Sequence, residues 1–202
     1  MTVFATLGPA GSNHDYVTRR YLRFHNLERA NIELFAQFDA AFEHLVGGQV
    51  DYLVQVAVHP SVASCVATFR GRAHLVDAFI GPSQPMAVLT RTDVERPRSL
   101  GLQPATRDYC DVSRWETLVA EPSTVDVAQG LVDGKYDSGI TLSRFATEHE
   151  ALLRVDENIG QVSDPWLVFS ARPPAAEGLQ IWPNSPAALQ FRELLERPSR
   201  GR

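Results

Sequence analysis

A single lysine, Lys135, stands among the nineteen basic side chains of this 202-residue sequence, so its positive charge is almost wholly arginine. Schiff-base chemistry therefore has one available amine, in the turn-like DGKYD. Anions must be held by guanidinium groups, hydroxyls or backbone N–H groups. Only two cysteines occur, Cys65 and Cys110; they lack metal-ligand spacing and sit in apolar contexts, which reads as structural or incidental thiols. No apolar run approaches the eighteen or more residues of a membrane span. The opening MTVFATLGPAG has no basic segment before its first strand, so no secretory signal is expected and a cytoplasmic location is. The net charge of −5 argues against a nucleic-acid partner. Walker, G-x-S-x-G, H-E-x-x-H and C-x-x-C motifs are all missing.

What is present is a regular alternation of short strands and helices. Val3–Leu7 reads as a strand, and Asn13 to Phe24 as a helix capped by Ser12 or Asn13. NIELFAQF (31–38) is a second strand, and DAAFEHLVGG (39–48) a helix capped by Asp39 and stopped at Gly47-Gly48. DYLVQVAV (51–58) is nearly continuous in apolar residues, as in a strand buried on both faces. HLVDAFI (74–80) and PMAVLTRT (85–92) flank the turn GPSQ. SLGLQ (99–103), WETLVA (115–120) and DSGITL (137–142) are further strands. Helices are expected at Pro104, over 123–134, from Ser143 and over 185–197, and RPSRGR reads as a frayed tail. Strands alternating with helices of about ten residues indicate an α/β protein. The chain leaves one lobe, builds a second and returns: residues 1–83 with 157–202 form lobe 1, and 84–156 form lobe 2. A cleft between such lobes is where a small ligand is expected.

Hydroxyl-bearing helix starts recur after the strands, at Ser12-Asn13, Thr106, Ser123-Thr124 and Ser143. Free N–H groups at the positive end of a helix suit carboxylates or phosphates, although each start is also an ordinary N-cap. The residues alone therefore point to a two-lobed binder of a small anion.

Four segments resemble the prephenate dehydratase domain, over roughly residues 3 to 170. LGPAGSNHDYVTRRYL is similar to the family's opening L-G-P-x-G-[ST] and helix. FDAAFEHLVGGQVDYLVQV resembles its helix running into a G-x-x-D-[YF] strand, and SQPMAVLTR its entry into the second lobe. EPSTVDVAQGLVDGKYDSGITLSRFATEHEALLRV is similar to its S-T-x-x-A-A helix with the turn, strand and helix after it. The resemblance implies a fold like the type II periplasmic binding proteins, with prephenate in the interlobe cleft and no organic or metal cofactor. With the resemblance reaching to about residue 170, feedback through the family's C-terminal regulatory ACT domain is not expected. A homodimer is compatible with this scheme; nucleic acid and membrane partners are not expected.

Two departures bear on the reaction. The dehydratases carry E-N-S after the D-Y strand, where this chain reads VAVHPSVAS. They carry T-R-F near the end, its threonine assisting departure of the ring hydroxyl, where this chain reads SDPWLVF. The Trp-x-x-Phe here, with QPMAVLTR, is similar to the non-aromatising prephenate decarboxylases of bacilysin-type antibiotic pathways. Such an enzyme denies the hydroxyl a general acid and protonates a ring carbon instead. The resemblance therefore implies a decarboxylase that keeps the ring hydroxyl, yielding a dihydro-4-hydroxyphenylpyruvate for a specialised metabolite. A dehydratase and a non-catalytic anion binder are the alternatives. The candidate catalytic residues are His14 and His59 as proton donors, Trp166 as the apolar wall in place of the threonine, and Asp164. The candidate substrate-binding residues are Gly11, Ser12, Asn13, Ser83, Gln84, Gln103, Thr106, Arg107, Ser123 and Thr124.

Overall fold

The computed structural model describes residues 1–174 and 178–196. Among the described residues, ten strands divide between two five-stranded sheets, each a mixture of parallel and antiparallel pairs. Lobe 1 contains β1 (Val3–Leu7), β2 (Asn31–Phe35), β3 (Tyr52–Val56), β4 (His74–Pro82) and β10 (Ser163–Ser170), in the order β2-β1-β3-β10-β4. Lobe 2 contains β5 (Met86–Arg91), β6 (Ser99–Leu102), β7 (Thr117–Ala120), β8 (Ser138–Leu142) and β9 (Leu153–Gly160), in the order β7-β6-β8-β5-β9. The helices are α1 (Asn13–Phe24), α2 (Phe38–Val46), α3 (Val62–Thr68), α4 (Thr124–Val132), α5 (Arg144–Glu148) and α6 (Pro186–Glu196).

The central strands are apolar on both faces because helices and loops cover both. Phe4, Val54, Val56, Trp166 and Val168 meet α1 residues Val17 and Leu22 on one side of the first sheet. Ala5, Leu53 and Phe169 meet Phe38, Phe42, Leu45 and Phe69 on the other. Lobe 2 has its own core of Met86 to Leu89, Leu100, Ile140 and Leu142 with Val127 and Leu131 of α4. Each lobe thus buries a separate apolar cluster, the requirement for two units to persist on one chain.

Several local expectations change. β2 stops at Phe35, because Phe38 turns inward as the first, fully buried residue of α2. Asp39 is therefore inside the helix and does not cap it; its carboxylate accepts the Cys65 thiol at 3.3 Å. The segment after His59 holds a helix, α3, which carries no charged residue and so lacks a polar stripe to announce it. The segment from Pro104 is 3₁₀ rather than α. Residues 157–160 pair with β5 in the second sheet, so the return to lobe 1 falls at Gln161–Val162 rather than at 157. The expected helix over 185–197 is present as α6 to Glu196; Arg197 and the rest of the RPSRGR tail lie outside the described residues.

Candidate functional site

The two crossovers decide which loops meet. β1 and β3 run parallel, and β10 and β4 connect to lobe 2 from the edge where β1 and β3 end. In lobe 2 the parallel β6, β7 and β8 likewise end at the edge where β5 begins and β9 finishes. The C-terminal edges of the two sheets therefore face each other. The turns after β1, β3, β6, β7 and β8 converge there, the usual place for a ligand in an open α/β sheet.

Lobe 1 contributes the Gly8–Asn13 turn, whose polar groups are largely engaged within the chain. Ser12 caps α1: its Oγ accepts from the Asp15 amide at 3.3 Å and donates to the Leu7 carbonyl at 3.2 Å. Asp15 in turn accepts the Gly11 amide at 2.8 Å and pairs with Arg19 at 2.8 Å. The positive end of α1 thus already holds a carboxylate of its own, which removes Gly11 N–H and Ser12 Oγ as free ligand donors. Asn13 and Gln84 also meet each other. The Asn13 amide oxygen accepts from the Gln84 backbone N–H, and the Gln84 side chain donates to the Gly11 carbonyl, both at 2.9 Å. Ser83 is 2% exposed and ties the two crossovers together. Its N–H donates to the Val162 carbonyl at 2.7 Å, and its hydroxyl accepts the Val162 amide at 3.0 Å. Ser83, Gln84 and Asn13 thus fasten the crossovers and the α1 start together at this edge of the cleft.

His14, the second residue of α1, projects beside His59, from the turn after β3, and Trp166, from β10. Its ring centroid lies 5.3 Å from Trp166, 5.4 Å from Phe38 and 6.1 Å from His59, each edge-on. Nε2 of His14 is shut away from solvent and has no hydrogen-bond partner. Burial, reinforced by neighbouring His59, lowers its pKa to about 3, so the ring is neutral at physiological pH. His59 is lowered too, by burial. The Ser61 amide points at its Nδ1 from 3.2 Å, with the Ser61 hydroxyl 2.8 Å away, which assigns Nδ1 as acceptor and Nε2 as the N–H. Gln55, fully buried, donates to the Ser61 hydroxyl at 3.3 Å and fixes it.

Trp166 is 1% exposed and lies under His14, with its indole N–H on the Gly81 carbonyl at 3.3 Å and its ring stacked on Phe79. It forms the floor of the site through His14 rather than a wall open to the cleft. Asp164, two residues earlier in β10, is half-buried, and burial raises its pKa. Burial, and after it the nearby Asp164 charge, raises the pKa of the Tyr109 phenol of lobe 2.

Lobe 2 contributes three strand ends. After β6, the Gln103 side chain caps the 3₁₀ turn through the Ala105 amide at 2.7 Å, and the Thr106 hydroxyl donates to the Gln103 carbonyl at 2.8 Å. Arg107 projects from that turn, exposed. After β7, Ser123 caps α4, accepting from the Asp126 amide at 3.1 Å and donating to its carboxylate at 2.7 Å, and Thr124 comes next, 8% exposed. After β8 comes Arg144, whose Nη2 reaches across to Gly11: a Cβ there would lie 3.0 Å from it. Arg144, Tyr109, Phe38 and the Gln55–Ser61 pair escaped sequence reasoning. Only Arg144 left a trace, as the residue after the hydroxyl start Ser143. Among the described residues no group of three or more His, Cys, Asp or Glu side chains could hold a metal ion.

No protein-family model matches this chain, and no curated protein sequence matches it. Among solved structures the chain is similar to a prephenate dehydratase from Arthrobacter aurescens, solved in complex with L-Phe. The identity is 17% over 89% of this chain and 62% of that one, with a TM-score of 0.62. It is also similar to GqqA, described as a novel type of quorum-quenching acylase, with 11% identity over 88% of this chain and 67% of that one and a TM-score of 0.58. An arginine-transport periplasmic binding protein from Legionella pneumophila matches at 10% identity over 84% and 85% of the two chains, with a TM-score of 0.51. These similarities establish a two-lobed α/β fold shared by prephenate dehydratase and periplasmic binding proteins. The chain spans 62% of the length of the Arthrobacter protein.

Proposed function

We propose that the chain is a prephenate decarboxylase that retains the ring hydroxyl and serves a specialised biosynthesis. The observation that carries this reading is the cluster of His14, His59 and Phe38 over the buried Trp166. Two imidazoles held toward neutrality, backed by the buried rings of Phe38 and Trp166, make a water-poor patch at this edge of the cleft. A carboxylate placed against such a patch is poorly solvated, and loss of CO2 removes its charge. The motif resemblance over residues 3 to 170 and the shared fold support the same substrate.

In the reaction the bond between the ring and its carboxylate breaks, and its electron pair moves into the ring as a new double bond. The displaced double-bond pair takes up one proton at a ring carbon. His14, neutral down to about pH 3, is a poor source of that proton and acts as a positioning residue. Asp164, whose raised pKa keeps its carboxyl protonated at higher pH than an ordinary aspartate, is the proton donor of this scheme, and His59, held toward neutrality by burial, offers only a hydrogen bond through Nε2–H. The same feature of Asp164 favours the second reading: a protonated carboxyl that reached the ring hydroxyl would release it as water and give phenylpyruvate. A non-catalytic binder is the third reading.

One assay separates them. Prephenate is incubated with the purified chain, and products are followed by mass and ultraviolet absorption. A non-aromatic hydroxylated keto acid with CO2 is expected, and its formation slows at least tenfold in Asp164→Asn. Phenylpyruvate as the product would overturn the decarboxylase. Unchanged prephenate that raises the melting temperature would leave a binder.

A further inference from the structure

We propose that Arg144 is the cation that holds the ligand's side-chain carboxylate, the one that does not depart. The inference rests on the cleft accepting a dicarboxylate such as prephenate. A dianion requires positive partners, and lobe 1 supplies few at this edge. His14 is neutral, His59 is shifted toward neutrality, and the Gly11 amide and Arg19 are both occupied by Asp15. The charge must come from lobe 2.

Arg144 is placed to supply it. It opens α5 directly after β8, and its guanidinium carbon lies 4.2 Å from the centroid of the Phe145 ring, which steadies the group. Glu148 takes one branch, with Nη1 at 2.6 Å from its carboxylate. Nη2 is directed at Gly11 in the opposite lobe. Gly11 has a φ of +78°, so glycine is required there for backbone reasons, and its missing side chain also leaves the room Arg144 occupies. The Arg144 side chain is 39% exposed, open enough for a ligand oxygen to join it. Next to Gly11, the amides of Asn13 and His14 have no acceptor among the described residues. A carboxylate between Nη2 and these amides would be gripped from both lobes at once.

The choice between the two carboxylates rests on the chemistry. A strong ion pair to the departing carboxylate would stabilise the ground state and oppose its conversion to neutral CO2. The pyruvyl carboxylate is unchanged by the reaction, so a firm grip on it orients the ring without that penalty. Phenylpyruvate, which retains only this carboxylate, therefore serves as an inert probe of the subsite.

The test is titration calorimetry of the full chain with phenylpyruvate and with prephenate, for the wild type, Arg144→Gln and Arg144→Lys, with Arg98→Gln as a distant control. At least tenfold weaker binding of both probes is expected for Arg144→Gln and at least threefold for Arg144→Lys, which keeps the charge but loses the fork. The control should bind as the wild type does. Arg144→Gln binding within twofold of a wild type that binds would overturn the role of Arg144 and leave the substrate reading standing. A wild type that binds neither probe would overturn the substrate reading itself. Should circular dichroism show Arg144→Gln unfolded, Arg144→Lys decides, and unchanged binding there overturns the proposal.

Discussion

An unfolded histidine titrates near 6.5, whereas His14 in the folded chain titrates near 3, mainly because its ring is enclosed by Phe38, Trp166 and His59. Between these two values the unfolded chain binds a proton that the folded chain refuses. Stability therefore rises with pH through that window and falls on acidification. From pH 7 to pH 5 the loss attributable to His14 is about 2 kcal/mol, at 1.36 kcal/mol per unit once the unfolded histidine is mostly protonated. His59, lowered in the same direction, adds to it. Urea denaturation at pH 7 and pH 5 checks this: His14→Gln should lose roughly 2 kcal/mol less than the wild type between the two. An equal loss in both would show that the ring is not held neutral. At this scale the sequence marked His14 and His59 by their place beside matched motifs. It could not mark their neutrality, which depends on partners from α2 and β10.

Within the elements, most boundaries are set by local chemistry. Ser12 and Ser123 cap α1 and α4 as their positions imply, and Gly134, with φ +72°, ends the turn after α4. Gly130 behaves against its local setting. A glycine inside a helix ordinarily gains up to about 1 kcal/mol on replacement by alanine. Here a Cβ would fall on the Tyr136 hydroxyl, and one at Gly101 of β6 would fall on the ring of the same tyrosine. Tyr136 is 1% exposed and donates to the Val127 carbonyl at 2.9 Å, so it is wedged between strand and helix. Gly130→Ala is expected to destabilise by roughly 1–3 kcal/mol, the cost of overpacking, as measured by the urea midpoint. Stabilisation would show that Tyr136 can move aside. Asp39 teaches the complementary lesson. It has the composition of a cap, but burial of Phe38 starts α2 earlier and places it inside the helix.

For the whole molecule, the crossovers carry the relation between the lobes, and Ser83 is their fastening. Removing its hydroxyl leaves the Val162 amide without its side-chain acceptor in a buried site. Ser83→Ala is expected to cost about 1–3 kcal/mol in urea unfolding. A change below about 0.5 kcal/mol, the low end for a net hydrogen bond, would show that the Ser83 backbone bond to Val162 suffices. The alternation of strand and helix, the two lobes, and the strand ends that carry the candidate residues were legible in the sequence, because each depends on periodicity and caps within a few residues. The pairing of Asn13 with Gln84, 71 positions apart, the reach of Arg144 to Gly11, and the neutral His14 beside His59 were decided only by tertiary structure. The reason is physical: a side chain's hydrogen bonds, and the solvent it retains, depend on distant segments that fold against it. Local sequence determined where a loop ends; the facing of two sheet edges determined what that loop is free to bind.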